Sequence, residues 1–349
     1  MNNDKTSSIV LNNVTVIDHA YIDDNGFVVG GSFHGSFHVT GKIDGKEKVV
    51  VDFSTIKKSI KNLIDDDEKG FDHKLWIIEG YSNISSINIK NIDVDDTNKQ
   101  TYVIETPQVK ITLPTNAVKI VTKLPITVPE YGPEYIGYAI SDFLTIELQK
   151  SYPTVQLNIN TILTNDIGVT QLPGCILHAP RYFRYVHGLK DSTSWGCQNI
   201  AHGHLSFIVA YTNIETTSRE TPSNVIQLLN KIVDVLDLIV FVNKENFNKE
   251  TISYTTEQRG YFEMTFQNKY IRHVVLDTET TIEFITEFVK ETWGDELQQI
   301  GVTKIIVSEG LTKGCIIDIP CSTNTPAFRS PEAIKLYAQF SAQQSSKND

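Results

Sequence analysis

The chain has 349 residues, of which 40% are hydrophobic and 21% are charged, and its formal net charge is -11. This length allows two domains, and the composition is typical of a globular protein rather than a disordered one. The acidic balance, with no dense block of lysine and arginine, argues against a protein that binds nucleic acid.

The N-terminal residues and the cysteines predict where the protein resides. The opening MNNDKTSSIV has no charged-then-apolar signal pattern, and the longest apolar run, at 235–242, is too short to cross a membrane. The four cysteines have no CxxC spacing, so a reducing compartment suits them better than a disulfide scaffold. We therefore expect a cytoplasmic protein with no membrane partner. The cysteines are Cys175, Cys197, Cys315 and Cys321.

The first half of the chain predicts a hairpin followed by a helix. Residues 13–23 and 33–44 alternate apolar and polar side chains, as half-buried strands do, and the segment DDNG at 23–26 lies near the turn that joins them. The helix has Asp52 or Ser54 available as its N-cap. Five apolar residues are predicted to share its buried face: Phe53, Ile56, Ile60, Leu63 and Ile64.

A β-rich stretch, a second helix and a returning strand complete the first half. The β-rich stretch runs over about residues 86–128, and Pro133 suits the first turn of the helix that follows. In that helix Ile136, Ile140, Phe143, Leu144 and Leu148 recur at helical spacing.

The second half repeats this order of elements. A hairpin over about residues 181–213 precedes a helix at 223–240, and a β-rich insertion at 252–276 precedes a helix at 280–293 and a final strand pair. We therefore predict an α+β protein of two tandem units, each β-β-α-α-β-β with an antiparallel sheet and its helices on one face. The predicted units span 1–170 and 171–325, and 326–349 is a polar tail.

A histidine pair in the second half is the first candidate for a functional site. In a strand, side chains alternate between faces, so His202 and His204 of the motif HGH project from the same side and could hold a metal ion. The alternative is an edge strand with two half-exposed histidines, because H-x-H is not rare. A metal site therefore needs a third ligand.

These motifs together resemble the 6-pyruvoyltetrahydropterin synthase and 6-carboxytetrahydropterin synthase (QueD) family. That family has a strand F-x-x-x-H-x-L, then a cysteine shortly before H-G-H, and its three histidines bind zinc. FRYVHGL supplies His187, and CQNIAHGH supplies Cys197, His202 and His204. The resemblance thus implies that the three histidines bind Zn²⁺ and that the cysteine is catalytic.

Two glutamates match positions of the same family. The final strand of QueD-like members carries K-E-x-x-x-x-G-C, whose glutamate holds the pterin, and SEGLTKGC has Glu309 there. The helix that follows P-T-x-E in the family corresponds to TTIEF, which puts Glu283 at the acidic position. The resemblance implies that both glutamates bind substrate.

The two halves have complementary losses. The family completes a triad with Asp-His from L-D-H, but the second half has Asp237 followed by Leu238. The first half keeps Asp72 and His73, yet its equivalent of HGH is HGS at 34–36, with no cysteine before it. Because the family's triad joins two subunits, we expect a composite site in which the first unit lends Asp72 and His73 to the cysteine and metal of the second.

The resemblance implies a zinc-dependent carbon-oxygen lyase acting on 7,8-dihydroneopterin triphosphate. The ending EGLTKGC favours 6-carboxytetrahydropterin, a precursor in queuosine biosynthesis, as the product. The alternatives are a 6-pyruvoyltetrahydropterin synthase and a non-catalytic pterin-binding or assembly protein. A homo-oligomer is expected, with a homotrimer of two-unit chains replacing the family's hexamer.

Overall fold

The computed structural model describes most of the chain and contains α-helices and β-sheets. No helix in the described part is both long and apolar enough to cross a membrane. The predicted tail at 326–349 and Cys321 lie outside the described residues. The described residues are 6–43, 49–80, 84–92, 99–125, 129, 131–215, 221–268 and 272–320.

The helices and strands follow the predicted order, with additional short strands. The first half forms β1 (Thr6–Ile22), β2 (Val28–Lys42), α1 (Phe53–Ile64), β3 (Lys74–Ile78), β4 (Ser86–Ile92), β5 (Lys99–Glu105), β6 (Val109–Pro114), β7 (Val118–Val121), α2 (Pro133–Ser151) and β8 (Asn158–Thr164). The second half forms β9 (Cys175–Leu177), β10 (Arg181–His187), β11 (His202–Asn213), α3 (Thr221–Leu236), β12 (Ile239–Asn243), β13 (Phe247–Asn248), β14 (Thr251–Thr256), β15 (Gly260–Phe266), β16 (His273–Leu276), α4 (Ile282–Gln299), β17 (Val302–Glu309) and β18 (Lys313–Asp318).

Helix α1 illustrates why these segments fold as they do. The Asp52 side chain accepts a hydrogen bond from the backbone N–H of Thr55, which caps the helix, and the isoleucines are fully buried at a spacing of four residues. The predicted burial of Phe53 is wrong, because this ring is 53% exposed. The core position ahead of the helix is filled instead by Val50 and Val51.

Each half builds one sheet, and both sheets are mixed rather than antiparallel. The strand orders are β7-β3-β1-β2-β8 and β16-β12-β10-β11-β17-β18, with β9 also beside β11. Strand β3 lies parallel to β1, and β12 lies parallel to β10, because a helix crosses over between the strands of each parallel pair. The prediction of antiparallel sheets is therefore wrong for these pairs and for the pairs β3–β7 and β12–β16.

Both halves contain the same aspartate turn after their first helix. The Oδ1 atom of Asp72 accepts a hydrogen bond from the backbone N–H of Asp18, at 2.8 Å. The Oδ1 atom of Asp237 accepts one from the backbone N–H of Arg184, at 2.7 Å. In each half the aspartate therefore fastens the turn to the first long strand of its sheet.

The residue after each aspartate adopts the same unusual backbone conformation. His73 has φ 54° and Leu238 has φ 60°, in the left-handed region that side chains with a Cβ rarely occupy. Their backbone N–H groups donate to the carbonyls of Asp18 and Arg184, at 2.6 and 2.7 Å. His73 and Leu238 thus occupy equivalent places, and only the first half presents an imidazole there.

The two β-rich insertions together form a third sheet. Its strand order is β13-β14-β15-β6-β5-β4, and the antiparallel pair β6–β15 joins the two halves of the chain. A buried apolar cluster that includes Ala20, Leu75, Val186 and Phe262 also draws on both halves. Each half thus keeps a buried cluster of its own, and a further cluster beneath the third sheet is shared by both halves.

Two glycines let the main sheets approach each other backbone to backbone. A Cβ on Gly30 of β2 would lie 2.2 Å from the carbonyl oxygen of Tyr185 and 2.4 Å from the backbone nitrogen of His204. A Cβ on Gly203 of β11 would lie 2.7 Å from the Cα of Gly30. The glycine of HGH therefore has a structural role on the face opposite its two histidines.

We expect Gly30→Ala to destabilise the protein strongly. The new methyl group would overlap backbone atoms that cannot rotate away, so the free energy of unfolding should fall by about 3 kcal/mol. Urea denaturation measures this change. Gly168→Ala is the matched control, since a Cβ there meets nothing within 4 Å, and equal stabilities of the two variants would contradict the expectation.

Candidate active site and metal centre

Three histidines converge where β10 ends and β11 begins. His187 is paired with His202 across the two strands, and His204 lies two residues further along β11. Because side chains alternate along a strand, the three rings share one face, and their centroids are 4.6 to 5.2 Å apart. All three rings are buried.

Backbone carbonyls orient two of these rings. His187 donates from Nδ1 to the carbonyl oxygen of Thr280 at 2.8 Å, and His202 donates from Nδ1 to the carbonyl oxygen of Asn199 at 2.7 Å. A carbonyl oxygen can only accept, so the proton lies on Nδ1 and Nε2 carries the lone pair; Nε2 of His187 lies 3.2 Å from Nε2 of His204. In both rings Nε2 is therefore the atom available to a ligand.

A carboxylate from the first half lies beside the third ring. The Nδ1 atom of His204 lies 3.2 Å from Oδ1 of Asp18, which also accepts a short hydrogen bond from the hydroxyl of Ser32 at 2.5 Å. Both Asp18 and Ser32 are buried residues of the first sheet. Carboxylates and carbonyls that hold metal-binding histidines in this way are the usual outer partners of a metal site.

The donor set of these histidines fits a metal ion. Each can offer one ring nitrogen, and the three nitrogens lie within 4.8 Å of one another. The Nε2 atom of His202 is buried and has no hydrogen-bond partner in the described part of the chain. Burial lowers the pKa of His187 to about 3 and lowers that of His202 as well, so both stay in the neutral form that binds metals.

An aspartate, a histidine and a cysteine form a chain of contacts beside this cluster. The ring of His73 donates from Nδ1 to Oδ2 of Asp72 at 2.6 Å, and its Nε2 lies 3.7 Å from Sγ of Cys197. The His73 ring centroid is 5.2 Å from that of His202. These groups come from both halves of one chain and meet within it, although 124 residues separate His73 from Cys197.

The electrostatics of this chain favour a thiolate–imidazolium pair. Burial disfavours the charged imidazole, but the Asp72 carboxylate raises the pKa of His73 well above its usual value. Burial also disfavours the thiolate, but the hydrogen bond and charge of His73 lower the pKa of Cys197. A thiol activated in this way is both a base and a nucleophile.

A carboxylate and a lysine border the cluster on the other side. Glu309 ends β17, with Oε1 3.9 Å from Nε2 of His204 and Oε2 accepting a hydrogen bond from Lys313 at 2.8 Å. Burial would raise the pKa of Glu309, but the neighbouring histidines and Lys313 lower it. The group is thus a fixed carboxylate about 12% exposed, suited to accept hydrogen bonds from a ligand.

Glu283 does not join the cluster. It is exposed in the first turn of α4, and no hydrogen bond or ion pair links it to the histidines among the residues described. The residue of this segment that does contact the site is Thr280, through its carbonyl oxygen. A substrate-binding role for Glu283 stays a prediction.

The outer partners of the histidines were not among the residues predicted from the sequence. Asp18 and Ser32 come from the half that lacks HGH, and Thr280 contributes a backbone carbonyl that any residue could supply. A signal for Asp18 was available, since a carboxylate within the mainly apolar stretch 14–22 of a predicted strand needs a buried partner. Lys313 also had a signal, because it pairs with Glu309 across the β17–β18 hairpin.

Comparisons with known proteins give matches among solved structures alone. No family model matches the sequence, and a search of curated proteins finds no match. The solved structures with which the chain is similar include a catalytic-residue mutant from Plasmodium vivax, with 20% identity over 47% of this chain and 100% of that one and a TM-score of 0.30. The matched enzyme is a 6-pyruvoyltetrahydropterin synthase.

Two further matches also cover less than half of this chain and nearly all of the matched chain. The synthase from Plasmodium falciparum has 19% identity over 46% of this chain and 99% of that one, with a TM-score of 0.27. An uncharacterized Wolinella succinogenes protein, WS1659, has 15% identity over 41% of this chain and 97% of that one, with a TM-score of 0.30. The named synthases belong to the family that the motifs resemble. At such low identities and TM-scores the likeness assigns no activity, which has to be argued from the site.

Proposed function

We propose that this chain is a zinc-dependent lyase that converts 7,8-dihydroneopterin triphosphate to 6-carboxytetrahydropterin, in the pathway to 7-deazaguanines such as queuosine. The observation that carries the proposal is the contact of Cys197 Sγ with His73 Nε2 beside three histidines whose ring nitrogens face one another. The resemblance of the motifs to the synthase family supplies the substrate. The ending EGLTKGC favours the carboxy product.

The three histidines would hold the zinc ion. Three neutral imidazoles leave Zn²⁺ an open position, as catalytic zinc sites require. When bound there, zinc polarises a side-chain hydroxyl of the substrate and makes the adjacent C–H more acidic. His187 and His202 present Nε2 because their Nδ1 atoms are already bonded, so the ligand atoms need no rearrangement.

Cys197, His73 and Asp72 would move the protons. The Cys197 thiolate accepts a proton from the substrate side chain, since its pKa is lowered toward the working pH. His73, in contact with the sulfur, returns a proton after the triphosphate has left. Asp72 keeps the His73 ring oriented with Nε2 toward the thiol.

Glu309 would bind the pterin ring. A carboxylate can accept two parallel hydrogen bonds from an amino group and a neighbouring ring N–H, which is the pattern that a pterin presents. Lys313 holds one oxygen of Glu309, and the other faces His204. This arrangement would set the pterin's side chain over the histidines.

We also propose that the chain consists of two tandem units, at 1–170 and 171–325, with one complete site per chain. The repeated aspartate turns support this division, since Leu238 stands where the first half has His73. By analogy with the family's hexamer, three chains would associate as a homotrimer. Sedimentation equilibrium should then give three times the 39.3 kDa chain mass, and a monomer would refute the assembly.

Product analysis tests the proposed reaction. The purified zinc-loaded protein, incubated with 7,8-dihydroneopterin triphosphate, should release triphosphate and acetaldehyde and form 6-carboxytetrahydropterin. Triphosphate without acetaldehyde would identify a 6-pyruvoyltetrahydropterin synthase instead. Binding of the pterin with no turnover would identify a non-catalytic protein, and a Cys197→Ala variant provides the background rate.

A further inference from the structure

The loop that carries Cys197 has an irregular backbone, and side chains of the third sheet donate hydrogen bonds to it. It connects β10 to β11 through a single 3-10 turn at Gly196–Gln198. Within the loop, the carbonyl oxygen of Cys197 accepts a hydrogen bond from the backbone N–H of Leu189. The carbonyls on either side of Cys197 instead accept hydrogen bonds from the third sheet, which the two insertions build together.

Arg259 makes most of these contacts. It lies in the turn between β14 and β15, is 1% exposed, and donates to the carbonyls of Trp195 at 3.0 Å and Gly196 at 3.4 Å. Its guanidinium carbon also lies 3.5 Å from the centroid of the Trp195 ring. Another guanidinium nitrogen donates to the carbonyl of Asn116, in the first half's insertion. A buried arginine whose hydrogen bonds, in the described residues, all go to carbonyls is suited to hold backbone.

Tyr254 supports the other side of the same turn. Its hydroxyl donates to the carbonyl of Gln198 at 2.9 Å, and the side chain is buried. A Cβ on Gly188, at the start of the loop, would lie 2.1 Å from that hydroxyl oxygen. Tyr254 therefore contacts the loop both near its start and just after Cys197.

The opposite face of the turn packs directly on the catalytic histidine. A Cβ on Gly196 would lie 2.7 Å from Cβ and Cγ of His73. Asn199 donates from its side chain to the carbonyls of His73 at 3.0 Å and Ala117 at 3.1 Å. The loop is thus enclosed between His73 and the third sheet, so a shift of one side is transmitted to the other.

We propose that Arg259 and Tyr254 are positioning residues, and that the sheet formed by the two insertions serves to fix the Cys197 loop against His73. Proton transfer between two groups depends steeply on their separation and alignment, and displacements of about 1 Å can cost about 10²-fold in rate. The 3.7 Å contact between Sγ and Nε2 joins two halves of the chain, and the third sheet is built from strands of both halves.

Alkylation of Cys197 tests this proposal independently of any turnover. The rate of modification by iodoacetamide, followed by mass spectrometry of the Cys197 peptide across the neutral and alkaline range, reports the pKa of this thiol in the intact protein. Wild type should titrate below an ordinary thiol, whose pKa is about 8.5. In Arg259→Lys and Tyr254→Phe the midpoint should rise by about one unit, which lowers the thiolate fraction about tenfold at pH values well below both midpoints.

These variants keep the charges around the thiol constant. The ionisable groups facing Cys197 in the described part of the chain include His73, His202, Lys313, Arg259 and Tyr185. Arg259→Lys retains the positive charge and Tyr254→Phe removes only a hydroxyl that donates to a carbonyl. A raised midpoint would consequently report lost positioning and not a lost charge.

Arg272→Lys is the matched control, because Arg272 also donates to backbone carbonyls, those of Asp234 and Asp237, away from the Cys197 loop. Its midpoint should equal that of wild type. Folded Arg259→Lys and Tyr254→Phe proteins with the wild-type midpoint would overturn the proposal, as would an equal rise in Arg272→Lys. If Arg259→Lys does not fold, Tyr254→Phe alone decides.

The kinetic part of the proposal rests on the proposed function. If the protein is the lyase, both variants should lower kcat with little change in KM, since the substrate contacts are kept. If wild type proves inactive while the alkylation midpoints shift as expected, the proposed function fails and the positioning role stands. If the midpoints do not shift in a protein that turns over the substrate, the positioning role fails and the proposed function stands.

Discussion

His202→Ala is expected to release the bound metal and to lower turnover by more than about 100-fold. Loss of an outer partner of a metal ligand already costs about 10- to 100-fold in affinity or activity, and His202 would be a ligand itself. Its Nε2 atom is buried beside those of His187 and His204, and among the described residues it has no protein partner that would explain its burial. Elemental analysis of the purified protein measures the zinc content, and product formation measures turnover.

The matched control is His178→Ala. His178 is also a buried histidine of the second half, but its Nε2 atom lies 3.0 Å from the hydroxyl of Thr212 and it belongs to no ligand cluster within the described ranges. This variant should keep one zinc per chain. A His202→Ala protein that retains full zinc would show that the three histidines are not the metal site.

Mixing two inactive variants should restore no activity. Cys197→Ala and His73→Ala should each lower turnover by about 10²- to 10⁴-fold, the range for loss of a general acid or base. In the folded chain Sγ of Cys197 contacts Nε2 of His73 of the same chain, so every site in a mixture of the variants contains one broken partner. Activity after joint refolding of equal amounts of the two variants is the measurement.

A double variant completes this experiment. Because the two groups act on one proton, Cys197→Ala with His73→Ala in one chain should be hardly less active than either single variant. Activity regained on mixing would show that sites form between chains. Each site would then combine His73 from the first half of one chain with Cys197 from the second half of another. Full activity of one single variant would remove the substituted group from the mechanism, and full activity of both would refute the composite site.

The histidine cluster of the candidate site followed from local rules. The two-residue period of a strand puts His202 and His204 on one face, and the pairing of β10 with β11 brings His187 opposite His202. These relations depend only on neighbouring strands. For that reason motif spacing predicts the three histidines together, even though their shared burial and their Nδ1 partners are not visible in the sequence.

Predictions that depended on packing fared less well. Phe53 fits the apolar period of α1, yet neighbouring valines fill the core beside it and the ring stays exposed. The sequence marks both insertions as β-rich but contains no signal that β6 would pair with β15, 146 residues or more further along the chain. Pairing between distant strands depends on the whole arrangement of the sheets and not on either segment alone.

The sequence by itself determined the identity of the reactive groups and their local presentation: imidazoles on a strand, a cysteine before them, and an Asp-His pair at the end of a helix–strand turn. Only the tertiary structure decided that Asp72 and His73 reach Cys197 inside a single chain. Backbone contact at Gly30 and Gly203 allows that approach, and the third sheet supports it. The physical reason is the difference between local and long-range determinants. The direction of a side chain on a strand repeats every two residues, whereas the spacing between two packed sheets depends on every side chain between them.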